Sequence, residues 1–265
     1  MVSVPSSASR ARSLMPAEHG AYGEIGFPIA TSLCLALPTL SAGALVLAAI
    51  ALFVAHEPLL VLLGHRGARV RVTEARRARR WLAVLGAAAV TLGITGLVTM
   101  AAPVRALLLI PVALVLALAP LVALGRERTA LGEILAATAL SSAGIPIAAA
   151  AGVSTVVALT MWIVWSVAFS LSTLAVRASI ARARSGEDGA RSGLVAAASA
   201  ASLLFTTALA ASRGWSPVLP LGMAPLAAFS IGLHLFPHPP RRLRTLGWTL
   251  VAASFVTFAV LVLLA

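Results

Sequence analysis

The chain has 265 residues, of which 60% are hydrophobic and only 11% are charged. A soluble domain carries about 25% charged residues, so this composition excludes an ordinary water-soluble protein. All 20 basic residues are arginines, and they lie in short segments between apolar runs, which indicates membrane topology and attraction to anionic lipid headgroups, with no nucleic acid partner.

The N-terminal residues 1–13 are polar and rich in serine, alanine and arginine. They lack the apolar core and the cleavage site of a secretory signal. We therefore predict a disordered cytoplasmic N-terminus, followed by a single transmembrane helical domain over residues 14–265. The one cysteine, Cys34, excludes a disulfide within the chain and is predicted to be a buried, unreactive thiol.

Nine apolar segments of about 20 residues follow, which is the length that a helix needs to cross roughly 30 Å of hydrocarbon. The predicted fold class is therefore all-α, a polytopic membrane helical bundle with about nine transmembrane helices. The predicted spans are approximately residues 22–40, 42–63, 81–101, 105–124, 130–151, 155–176, 193–212, 216–235 and 246–264.

The arginines predict the orientation of these spans. If the N-terminus is cytoplasmic, 18 of the 20 arginines face the cytoplasm, and only Arg105 and Arg213 lie outside. The positive-inside rule then predicts an N-in, C-out protein of the cell's inner (plasma) membrane. Two cytoplasmic loops, at about 64–80 and 177–192, are longer than the other connections, so we expect the working face on the cytoplasmic side.

The first polar motif lies at the mouth of the first span, from Pro16 to Glu24. It contains Glu18, His19 and Glu24, with glycines that let a backbone approach a ligand closely. Because the first two spans form a hairpin, Glu18 or His19 could meet polar residues of the second span.

His56, Glu57 and Pro58 form the second motif, roughly 10 Å below the cytoplasmic interface. A charge at this depth is costly, so the pair should face the protein interior or a wet cavity. We predict general acid–base work by His56 and Glu57, assisted by His19, Glu24 and Glu18. A polar contact that only fixes helix packing is the alternative. Two His and two Glu could also bind a divalent metal, although their spacing is not a metal signature.

Arginines at the ends of the second and sixth spans are the predicted substrate-binding residues, because guanidinium groups clamp phosphate. They are Arg66, Arg69, Arg71 and Arg177. Glu133, one turn into the fifth span, joins this set. It should pair with an arginine or sit where the helix dipole favours a carboxylate.

The segment Pro16 to Glu24 resembles the opening motif of the YwiC-like family of bacterial multi-pass membrane proteins. The segment Phe53 to Leu59 is similar to the second motif of that family, and Ala175 to Arg177, followed by Arg182 and Arg184, is similar to a later one. The resemblance covers the N-terminal third of the chain well and the rest loosely. It implies a membrane protein without implying an activity.

A weaker, architectural resemblance is to the UbiA-type intramembrane prenyltransferases. These enzymes have nine helices and long cytoplasmic loops after the second and sixth spans. The resemblance implies a similar fold, but this chain lacks the Asp-rich motifs with which those enzymes hold magnesium, since its single aspartate is Asp188.

Two classes of function follow from these patterns. The first is an intramembrane enzyme or binder that acts on an anionic lipid or isoprenoid at the cytoplasmic interface of the bilayer. The alternative is a transporter of a small molecule, metal or lipid, or a non-catalytic assembly subunit. Because polar groups gather on one side, the pattern favours the first class over alternating access. The cofactor and any metal stay unknown at this point.

Overall fold

A computed structural model describes residues 13–16, 19–185, 189–213, 216–236 and 243–264, and these residues form helices without strands. The helices are α1 (His19–Cys34), α2 (Leu40–Leu63), α3 (Ala68–Thr99), a 3₁₀ helix (Ala102–Leu108), α4 (Leu109–Ala123), α5 (Ala130–Ser142), α6 (Gly144–Ala150), α7 (Thr155–Ser185), α8 (Gly189–Arg213), α9 (Val218–Leu235) and α10 (Leu243–Leu264). The all-α prediction is confirmed.

Among the described residues, eight helical segments are long and apolar enough to cross a membrane, and they coincide with the second to ninth predicted spans. The 3₁₀ helix with α4 counts as one segment, and α5 with α6 as another. Lipid offers backbone groups no hydrogen-bond partners, so helices that satisfy their own backbone are what such apolar sequences form. The chain is a multi-pass membrane protein.

The first predicted span is occupied by α1, which has 16 residues and is therefore roughly 24 Å long. It lies at the centre of the bundle, packed against α5, α6, α7 and α10. The closest approach is at Gly144, where the Ser32 hydroxyl donates to the Gly144 carbonyl at 2.9 Å. A side chain at that glycine would come within 3.2 Å of the Pro28 carbonyl, so its absence lets α1 lie this deep.

Two segments that were predicted as long loops are largely helical. Helix α3 begins at Ala68 and α7 continues to Ser185, so residues 68–80 and 177–185 extend the membrane helices. In α3 the helical extension is stabilised by packing, because Ala78 is buried against Val61 of α2 and Leu14 of the N-terminal segment. That contact anchors one face of the extension.

The bundle core is aromatic. Trp165 of α7 stacks on Phe27 of α1 and on Phe169, with ring centroids 5.6 and 5.0 Å apart, and Phe258 of α10 lies 6.4 Å from Phe27. Helices α2 and α3 form a hairpin beside this core, with α2 contacting α6. Aromatic pairs at these separations stabilise the packing beyond the area that they bury. They hold α1 against α7, which positions the site described next.

Candidate functional site

A shallow cleft with a few polar groups lies where α5 and α7 meet, at the end of the bundle that carries Arg126 and Arg128. Thr129 caps α5 by accepting a hydrogen bond from the Gly132 backbone, and Glu133 follows in the first turn. Gly132 has to be small, because a Cβ there would lie 2.5 Å from the Glu127 carbonyl oxygen. This tight turn places Glu133 opposite α7.

Arg177 links α7 to the start of α5 through one side-chain nitrogen. Its Nη1 donates to Glu133 Oε1 at 2.8 Å and to the Arg128 carbonyl at 2.6 Å. The side chain of Arg177 is 47% exposed and that of Glu133 is 27% exposed. The pair is therefore fixed in place but still reachable, as a ligand-binding arginine must be. Glu133 combines both of its expected roles, since it pairs with an arginine and lies at a helix N-terminus.

The cleft encloses about 230 Å³ and is lined by Glu133, Thr173, Val176, Arg177 and Ile180. The four α7 residues have the spacing of one helix face. Glu133 Oε2 is buried and has no hydrogen-bond partner among the described residues. A buried acceptor without a partner is costly, so this oxygen is ready to receive a donor from a ligand.

A hydrogen bond connects Glu24 of α1 to the α5–α7 cleft. Thr173 donates its hydroxyl hydrogen bond to Glu24 Oε1 at 3.2 Å. Thr173 thus joins the Glu24 carboxylate to the cleft that holds Glu133 and Arg177. Sequence reasoning missed Thr173, although its position four residues before Arg177 on one helix was a usable signal.

Glu57 has a different partner, because Arg66 folds back over the end of α2. Arg66 Nε donates to Glu57 Oε1 at 2.8 Å and Nη2 donates to Oε2. The side chain of Glu57 is 2% exposed and that of Arg66 is 12% exposed. The turn that returns Arg66 requires positive φ at Gly64 and Gly67, 85° and 98°. Because both of its oxygens accept hydrogen bonds from a guanidinium, Glu57 holds this turn against the end of α2.

The other predicted residues are distributed around this end of the bundle. His56 is half-buried on α2, while Arg69 and Arg71 are exposed on α3. Glu18 and the side chain of His19 lie outside the described residues. The described hydrogen bonds join Glu24 to α7 and Glu57 to the α2–α3 turn, so they bring together Glu24, Glu133 and Arg177.

His65 and Glu127 are two further polar residues at this end of the bundle. The His65 ring packs against the α4–α5 turn, with Nε2 3.7 Å from the Cβ position of Gly125. His65 Nδ1 and Glu127 Oε2 are buried without a hydrogen-bond partner among the described residues. Within that part of the chain, no group of three or more His, Cys, Asp or Glu residues is arranged to hold a metal ion.

Cys34 corrects one prediction from the sequence. It was expected to be buried, but it is exposed at the end of α1. The helix ends there, so the side chain lies at the margin of the packed bundle and not within it.

Comparisons with known proteins identify the family. Neither the curated proteins nor the solved structures gave a match, so the likeness to UbiA-type enzymes stays a prediction. The family described as YwiC-like protein matches residues 15–149, which include Glu24, the His56–Glu57 motif, Arg66 and Glu133. Because this match covers just over half of the 265 residues, the chain belongs to the YwiC-like family.

Proposed function

We propose that the chain binds the anionic head of an amphipathic lipid or isoprenoid in the α5–α7 cleft, at the cytoplasmic interface of the inner membrane. The observation that carries this proposal is the combination found in the cleft. A half-exposed arginine held by its Nη1 lies beside a carboxylate oxygen without a partner and a threonine hydroxyl. Each of these groups restricts the chemical class of the ligand.

Arg177 selects the charge of the ligand. Its guanidinium is a fork of donors that suits phosphate or carboxylate oxygens. Because Glu133 Oε1 and the Arg128 carbonyl fix Nη1, little side-chain freedom is left to lose when an anion binds. A pre-organised arginine of this kind binds more tightly than a free one.

Glu133 Oε2 selects a donor on the ligand. A carboxylate oxygen accepts hydrogen bonds only, so the head group should carry a hydroxyl or a protonated phosphate oxygen near its negative charge. A head with an acidic group and an O–H would satisfy Arg177 and Glu133 together.

The size and walls of the cleft support binding of the head alone. About 230 Å³ is less than the roughly 300–1,000 Å³ of pockets that enclose a drug-sized ligand. Val176 and Ile180 form the apolar wall. An isoprenoid or acyl tail would run from this wall along the outside of the bundle, where lipid already surrounds it.

Glu24 and Glu133 are the groups best placed for acid–base chemistry on a bound head, since both border Thr173. His56, His19 and Glu18 stay proposed participants from the α1–α2 end. Arg66 has a partner in Glu57, so we assign it to structure, and we leave Arg69 and Arg71 out of the proposed site because they do not line the cleft.

The test is a titration of the purified full-length chain with farnesyl phosphate, followed by native mass spectrometry. Farnesol, which lacks the acidic group, is the comparison ligand. We expect Arg177→Gln to weaken farnesyl phosphate binding roughly 10- to 100-fold, the effect of losing a charge-assisted hydrogen bond. Arg177→Lys keeps the charge but loses the fork, and should bind with intermediate strength.

Arg79→Gln is the matched control, because it removes one exposed arginine outside the cleft. It should leave farnesyl phosphate binding unchanged. Wild-type affinity in Arg177→Gln, or an equal loss in Arg79→Gln, would contradict the proposed site. Equal affinity of the wild-type chain for farnesol and farnesyl phosphate would contradict the anionic ligand class.

A further inference from the structure

A second charged surface lies on the outer face of α3, away from the α5–α7 cleft. Thr73, Arg76, Arg77, Arg80 and Trp81 follow one another at the helical spacing of a single face. Together with Glu74 they line a shallow, open depression on the helix surface. We call these six residues the α3 basic face.

The α3 basic face points away from the protein core. Ala78, which is buried against Val61 of α2, lies beside Glu74 at one edge of this face, and the arginines lie further round the helix. Arg76, Arg77 and Arg80 are exposed, and Trp81 is 43% exposed. Glu74 lies 3.6 Å from Arg77 and offsets part of the charge, so three arginines and one glutamate leave the face strongly positive.

The depth of the α3 basic face in the membrane follows from the position of Trp81 and from the rise of the helix per residue. Trp81 is the first residue of the apolar run, and tryptophan favours the boundary between hydrocarbon and headgroups. At a rise of about 1.5 Å per residue, residues 76–80 lie roughly 2–8 Å beyond the hydrocarbon edge. The headgroup layer is about 5–7 Å thick on each side, so these arginines are at the level of lipid phosphates.

Arg69 and Arg71 differ from them in depth. They are exposed on the same helix, but they lie roughly 15–18 Å beyond the edge. That distance exceeds the headgroup layer. The helix therefore carries three arginines of the α3 basic face within reach of lipid phosphates and two, Arg69 and Arg71, above them.

We infer that the α3 basic face is a binding site for the phosphate of an anionic bilayer lipid, with Arg76, Arg77 and Arg80 as the anion ligands and Trp81 against the upper acyl chain. Setting the topology requires positive charge on one side of the membrane only. It does not require three arginines and a tryptophan on one face at phosphate depth. This inference is independent of the proposed function, because it uses other residues on another helix.

The test uses Trp81 as its own reporter. The full chain is reconstituted in vesicles of phosphatidylglycerol and phosphatidylcholine, with bromine near the top of the acyl chains of one lipid or the other. The chain has five tryptophans, so the Trp81 signal is the difference in quenching between the wild-type chain and Trp81→Phe. We expect stronger quenching of Trp81 when phosphatidylglycerol carries the bromine.

The double variant Arg76→Gln/Arg80→Gln should lower that preference by about fivefold for each arginine removed, which corresponds to about 1 kcal/mol per arginine near an anionic surface. Arg69→Gln/Arg71→Gln is the matched control, with the same change in charge above the headgroups, and should keep the preference. Equal quenching by both labelled lipids would overturn the inference. So would a preference that survives in Arg76→Gln/Arg80→Gln, or one that falls equally in both double variants.

Discussion

At the scale of single residues, the ion pair of Glu57 with Arg66 depends on the presence of both partners. Glu57 is almost fully buried, and its two oxygens accept hydrogen bonds from Arg66. Removing one partner leaves a buried charge without compensation, which costs about 3–5 kcal/mol, whereas removing both avoids that penalty. Because Arg66 keeps some contact with solvent, we expect a loss toward the lower end of this range.

The first prediction is therefore a double-variant cycle on this pair. Arg66→Gln alone should lower the unfolding temperature of the purified chain clearly. The double variant Glu57→Gln/Arg66→Gln should be more stable than the sum of the single changes predicts, by about 1–3 kcal/mol. The unfolding temperatures of Glu57→Gln, Arg66→Gln and the double variant are measured in detergent, from the loss of monodisperse protein on heating.

Glu74→Gln provides the comparison for that cycle. It breaks the looser pair of Glu74 with Arg77, whose atoms are 3.6 Å apart, and such a pair contributes at most about 1 kcal/mol. Strictly additive losses for the Glu57 and Arg66 changes would show that the two side chains do not stabilise each other.

Residue patterns in the sequence identified polar side chains at the arginine-rich end of the bundle but not all of their partners. The acid–base role of Glu57 with His56 stays a prediction, and Arg66 was not predicted as a partner of Glu57. That partner depends on the path of the turn at Gly64 and Gly67, which residue types alone do not specify. Glu133 was easier to predict, because its position in the first turn of a helix already favours a nearby cation and the helix dipole.

At the scale of elements, α3 and α7 are each longer than the membrane span that they contain. They have 32 and 31 residues, so each is roughly 47–48 Å long and exceeds the 30 Å hydrocarbon core. The apolar runs were predicted well, because hydrocarbon thickness sets their length. The full length of the helical extensions was not predicted, because arginine-rich segments carry no apolar signal, although arginine is a good helix former.

The second prediction tests the extension of α3. Ala75→Pro should disrupt residues 68–80, because proline in a helix interior costs about 3 kcal/mol or more. Hydrogen–deuterium exchange should become faster across these residues and stay slow from residue 82 onward, within the membrane span. Slow exchange over the whole of α3 in this variant would show that a continuous helix is not needed there.

Ala68→Pro is the control for that experiment. Ala68 is the first residue of α3, where the backbone N–H has no partner within the helix and proline is well tolerated. Its exchange pattern should match that of the wild-type chain. The comparison distinguishes a break in the helix from the mere presence of a proline.

At the scale of the whole molecule, α1 decides the number of crossings. It is shorter than the hydrocarbon core, but its flanks lie near opposite ends of α2. Leu14 packs against Val61, near the end of α2, whereas Thr39 caps the start of α2. A segment that connects the two ends of a spanning helix has to cross with it, and the non-helical residues 35–38 supply the missing length.

The last prediction tests both this crossing and the orientation derived from the arginines. Because Cys34 is the only cysteine, Cys34→Ser gives a background for three single-cysteine chains: Ser13→Cys, Leu37→Cys and Ala68→Cys, all at exposed positions. If α1 crosses with the N-terminus inside, a membrane-impermeant maleimide should label only Leu37→Cys in intact cells. The other two should react after permeabilisation.

The possible departures from that labelling pattern have different meanings. Labelling of both Ser13→Cys and Leu37→Cys from outside would mean that α1 does not cross, leaving the eight long segments as the spans. A fully inverted pattern would mean that the arginine-rich ends face outward. The α5–α7 cleft and the α3 basic face would then contact the outer leaflet, because both lie at the end where α2 meets α3 and α4 meets α5. The side on which any lipid ligand is bound therefore depends on this one measurement.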